Sequence, residues 1–125
     1  MRAIFNGFQD CEQIKNTGFT ETQNYGLTVG KEYRILGVSG WSDIDTFILV
    51  DDYKRIGTIP TIFFDVTDNQ IPSDWIRTTY RGKYDPTFLL GPEIFAKDLD
   101  AYNNLFDGDR ESTDAIWAYI ESLET

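Results

Sequence analysis

The stretch YRILGVSGWSDIDTFILVDDYKRIGTIP, Tyr33 to Pro60, decides the fold class. It contains two runs rich in β-branched and aromatic residues, Tyr33 to Val38 and Thr46 to Val50, and neither has a helical period. Between them Ser39-Gly40-Trp41-Ser42-Asp43 is turn chemistry around one aromatic. Asp51-Asp52-Tyr53-Lys54-Arg55 reads as a hairpin tip, after which Ile56 to Ile59 returns along the sheet. Pro60 has no N–H to give to a ladder, so the run stops there.

Outward from this stretch, Arg2 to Phe5 reads as a first strand and the polar Asn6 to Gly26 as loop. Phe63 to Val66 resumes as a short strand after the proline. This order of short strands predicts a small, strongly bent antiparallel β-barrel over residues 1–68. Residues 69–91 read as a connecting segment, Pro-fixed at Pro72, whose Trp75 locks the barrel to the helical part.

The last third changes period. Gly91-Pro92 opens a segment in which Phe95, Leu99, Tyr102 and Phe106 recur on one helical face, and Gly108 ends it. A second amphipathic helix, capped by Ser112 or Thr113, buries Ile116, Trp117, Ile120 and Leu123. The predicted class is α+β, with residues 1–125 forming one domain and residues 92–125 its helical part.

Composition removes several chemistries. There is no histidine, so imidazole acid–base catalysis, Ser-His-Asp and Cys-His nucleophiles and nearly all zinc sites are excluded. Cys11 is alone, so no internal disulfide forms. No stretch approaches the roughly 18 apolar residues of a membrane span, and MRAIFNGFQDCEQ lacks the marks of a secretory signal. The protein is expected in the cytoplasm, with no cofactor and no catalytic or metal-ligating residues.

Charge is unevenly placed. The net charge is −10; residues 1–84 carry 11 acidic and 9 basic side chains, whereas residues 85–125 carry 10 acidic and 2 basic. Such a field repels nucleic acid and anionic membranes and steers a basic partner inward.

Several motifs resolve into ordinary turns. Gly26 to Lys31 is one residue short of a phosphate loop, and Glu32 stands where Ser or Thr would meet magnesium. Asp107 to Ala118 begins like a calcium loop but has Ser112 at position six and Ala118 at position twelve. Asp43 and Asp45 precede a strand that Asp51 and Asp52 follow, a separation of roughly 16 Å that no single ion spans. Turn-forming roles explain all four. Arg77, Arg81 and Lys83, interleaved with Tyr80 and Tyr84, are expected to pair with the acidic C-terminal third.

The runs Gly26 to Leu36, Phe47 to Asp52 and Pro60 to Val66 resemble small SH3-like barrel proteins of bacterial and phage genomes. With Ile71-Pro72-Ser73-Asp74-Trp75 and the helical end, residues 26–125 are similar to immunity proteins of bacterial polymorphic toxin and contact-dependent growth inhibition systems. The motif that opens peptide-binding SH3 domains is not apparent, so proline-rich ligands are not implied. The resemblance implies a protein that binds and neutralises a cognate toxin, and a nuclease-type toxin is basic where it grips phosphate. Asp98, Asp100, Asp107, Asp109, Glu111 and Asp114 are the expected steering charges, with Trp41 and Tyr53 as anchors. Two other functions fit the sequence: a phage or prophage accessory protein that binds a host factor, as an acidic decoy for nucleic acid, and a small carboxylate-dependent hydrolase.

Overall fold

The computed structural model describes residues 1–15 and 17–123. Among the described residues eight strands, β1 (Arg2–Phe5), β2 (Glu32–Arg34), β3 (Gly37–Gly40), β4 (Asp45–Val50), β5 (Ile56–Pro60), β6 (Phe64–Asp68), β7 (Trp75–Thr79) and β8 (Phe88–Pro92), precede three α-helices. These are α1 (Glu93–Ala96), α2 (Leu99–Phe106) and α3 (Arg110–Leu123). The strands form two antiparallel sheets, a three-stranded one ordered β2-β1-β6 and a five-stranded one ordered β5-β4-β3-β8-β7. The class is α+β as expected, but the sheets do not close into a barrel.

The run Tyr33 to Val38 is where the single-strand reading fails. It divides between the two sheets: β2 pairs with β1, and β3 pairs with β4 and β8. Ile35 and Leu36 carry the chain across, the Ile35 N–H donating to the Met1 carbonyl and the Leu36 N–H to that of Ile48. Their side chains enter different cores. One core lies between the sheets and takes Phe5, Ile35, Phe47, Leu49, Phe63 and Phe64; the other lies under the helices and takes Leu36, Ile48, Leu89, Phe95, Tyr102 and Ile116. Strand alternation feeds both from β4: Phe47 and Leu49 point one way, Ile48 the other.

Residues 69–91 are more than a connector. They contribute β7 and β8, and β8 lies beside β3 inside the larger sheet. Trp75 opens β7, is buried, and donates its indole N–H to Tyr119 Oη at 3.3 Å, so it joins strand to helix as expected. The described residues of the Asn6–Gly26 loop form no regular strand, yet they send Phe8, Phe19 and Tyr25 onto Phe63 and bury Ile14.

The expected first helix is broken. Gly91 and Pro92 finish β8, α1 lasts one turn, and Asp98 starts α2 by accepting the Ala101 N–H at 2.8 Å. The Phe95 ring lies across β3 and β8, where a methyl group at Gly37 would come within 2.6 Å of Phe95 Cζ. Only glycine admits the ring there. Gly108, at φ +81°, turns the chain into α3, which begins at Arg110 rather than after Ser112. Its first turn is capped by Asp109, which accepts the Ser112 N–H at 2.9 Å. Ile116 is fully buried, with Trp117, Ile120 and Leu123 half-buried against the second core. No helix among the described residues is long and apolar enough to cross a membrane.

Candidate functional site

Four of the six expected steering acids come together. Asp98 and Asp100 at the start of α2, and Asp109 and Glu111 at the start of α3, line one open cleft of about 470 Å³. Its floor is Ile94, Ala101 and Ala115, and Lys97 is its one basic residue. Each of the two helix starts is capped by a carboxylate of the cleft, Asp98 for α2 and Asp109 for α3. Donation from the Ser112 N–H, then from its side chain, lowers the Asp109 pKa. Among the described residues of the helical part the one ion pair is Arg110–Asp114, at 4.0 Å and exposed to solvent. The cleft's carboxylates are therefore not neutralised by partners of their own. Asp107 and Asp114 lie outside its lining.

The two expected anchors part company. Trp41 is half-buried on the second core and donates its indole N–H to Ser39 Oγ at 3.3 Å, an atom that also receives the Tyr102 hydroxyl at 3.4 Å. Tyr53 is 61% exposed, with the Arg55 guanidinium 5.0 Å over its ring. They sit beyond opposite ends of β4 and do not form one patch.

Arg77, Arg81 and Lys83 do not pair with the carboxylates of the acidic third among the described residues. No ion pair of theirs forms among the described residues; Arg77 instead stacks 4.3 Å over Phe88, and Lys83 5.4 Å over Tyr84. Arg81 and Lys83 sit in the turn between β7 and β8, beside Tyr80, which packs on the helical core.

A second cleft, of about 320 Å³, has no signature in the sequence. It gathers Arg2, Lys31, Arg34 and Lys54, four of the chain's 11 basic residues, above Leu36, Val50, Trp117 and Ile120. Asp52 holds its rim together. Its carboxylate accepts Lys31 Nζ at 2.8 Å, the Tyr33 hydroxyl at 2.9 Å and the Thr28 hydroxyl at 2.6 Å. The Lys31 and Thr28 bonds hold the Asp52 pKa down to about 2. Asp51 makes the turn expected of it, accepting the Tyr53 and Arg55 N–H groups and Arg55 Nε.

The Asp52 knot ties the β4–β5 hairpin to β2, hence one sheet to the other. A carboxylate pKa lowered by folding stabilises above its unfolded value and stops doing so as pH falls through the folded one. Asp52→Asn is expected to lose about 1 kcal/mol at pH 7, a figure reduced for solvent screening. The gap to the native chain should close as pH drops from about 4 toward 2. Urea midpoints at pH 7, 4 and 2.5 check this; a gap constant with pH would assign the knot no electrostatic role.

Among the described residues no group of three acidic or thiol side chains is placed to hold a metal ion. Comparison of the chain with protein-family models, with curated proteins and with solved structures gives no match in any of the three.

Proposed function

We propose that the protein is a cytoplasmic binding module that neutralises a basic partner protein, in the manner of an immunity protein facing a cognate nuclease-type toxin. One observation carries this reading: Asp98, Asp100, Asp109 and Glu111 converge on one cleft, and none of them is ion-paired among the described residues. A rigid acidic concavity on helices seated over a packed core is suited to a basic protrusion. The bent β2–β3 crossing is the element that supports an SH3-like kinship. No chemistry is required of the protein itself, because occupying or shutting a toxin's active site is a matter of binding.

Opposed potentials raise encounter rates, which suits capture of a toxin before damage occurs. The test is co-expression with a nuclease-type toxin domain, where one is encoded directly upstream, in a host that this domain kills. Rescue of growth together with a co-purifying 1:1 complex is the expected result. Killing unaffected by the protein, with no complex, rejects the immunity reading. Co-purification of a host factor instead would favour the accessory-protein function.

A further inference from the structure

We infer that the second cleft is a binding site for a small organic anion with a flat apolar body, a carboxylate or phosphate ester of an aromatic or heteroaromatic ring. Its position is set by topology: residues from β2, the β4–β5 hairpin tip and the second half of α3 meet there, though they span almost the whole sequence. Its volume, about 320 Å³, falls at the lower end of small-molecule sites. Within a largely polar lining, Leu36, Val50, Ile120 and the half-buried Trp117 indole supply an apolar portion.

The charge balance at the rim favours an anion. Lys31 is committed to Asp52 at 2.8 Å, and Arg2 faces Glu32 at 3.8 Å. Arg34 and Lys54 have no ion pair among the described residues. The two carboxylates nearby do not cancel them. All four oxygens of Asp51 and Asp52 already accept hydrogen bonds, from backbone N–H groups, Arg55, Lys31, Tyr33 and Thr28. A guanidinium and an ammonium therefore remain free to bind an incoming negative group beside an apolar surface.

Lys54 adds an independent sign. It is the one non-glycine among the described residues with positive φ, at 64°, a conformation that L side chains adopt uncommonly. A glycine would fit that turn without strain, yet the position carries an ammonium at the cleft. Strain retained beside a pocket is a mark of a functional position. The acidic cleft shares no lining residue with this site.

The experiment titrates ¹⁵N-labelled protein with indole-3-acetate and adenosine monophosphate, and with their neutral counterparts indole-3-acetamide and adenosine. The Trp117 indole N–H resonance is followed in each case. Saturable shifts with an anionic probe are expected, at least about tenfold tighter than with its neutral counterpart. Preference between the two anions distinguishes a carboxylate from a phosphate headgroup. Arg34→Gln/Lys54→Gln should weaken binding of the anion by about tenfold or more while keeping the native urea midpoint. Equal binding of charged and neutral probes, an unaffected double variant, or no saturation by about 10 mM would each overturn the assignment. None of these outcomes bears on the acidic cleft, whose residues are separate.

Discussion

Phe95→Ala is expected to lose about 3–5 kcal/mol of stability, because the ring is fully buried and seats the helical layer on the larger sheet. A cavity opened there has little to collapse into it: backbone of β3 and β8 lies on one side and α1 itself on the other. The seat can be probed from its other face. A methyl group at Gly91 would come within 2.5 Å of Phe95 Cζ, so Gly91→Ala alone should cost about 1–3 kcal/mol by overpacking. In a Phe95→Leu background, which keeps the chain folded, the clash is relieved and the added methyl occupies part of the vacated space. The Gly91 cost should then shrink by about 1 kcal/mol. Urea unfolding followed by circular dichroism measures all four corners. Strict additivity would mean that the ring does not rest on the glycine.

How far this architecture could be read in the sequence depends on how local its cause is. The β4–β5 hairpin is legible because Thr46 to Val50 and the Asp51–Arg55 tip carry strand and turn chemistry within a few residues of each other. The sheet crossing is not. Period-two reading treats Tyr33 to Val38 as continuous, and only the adjacent apolar pair Ile35-Leu36, buried on opposite sides, hints that two cores begin there.

β7 and β8 are hidden by the charged Tyr80–Thr87 loop, whose Gly82 and Asp85-Pro86 look like linker. The aromatic and β-branched run Trp75 to Thr79 is the signal that reveals them. In the helical part the spacing of Phe95, Leu99, Tyr102 and Phe106 runs straight through a real break. Asp98, a good N-cap three residues before Ala101, marks it.

The two clefts differ in the same way. Excess acid confined to one third of the chain stays within that third however it folds, and the two helix starts place four of the six carboxylates along one cleft. Arg2, Lys31, Arg34 and Lys54 are scattered along the first half, and only the pairing of β1 with β2 and the hairpin tip brings them to one cleft. No count of charges reveals that. Trp117 reads in the sequence as a core residue, and its second surface is visible only once α3 is seated.

The second large effect is expected in binding kinetics. Asp100 and Glu111 line the acidic cleft without capping a helix, a task that falls to Asp98 and Asp109. Asp100→Lys/Glu111→Lys therefore reverses the cleft's field while leaving both helix starts intact. Association with a basic partner should slow by about 10–100-fold at low ionic strength. Dissociation should change less, because buried anchors and not rim charges set residence time. Tyr53, which does not line that cleft, should not contribute to the same contact.

The central claim, that this acidic cleft receives the partner, is tested most directly by stopped-flow association of the purified complex components between about 20 and 500 mM salt. The native chain should associate rapidly and slow steeply as salt rises, while the Asp100→Lys/Glu111→Lys chain starts slow and depends little on salt. Equal rates for the two chains across that range would contradict the account, since the partner would then be docking elsewhere on the protein.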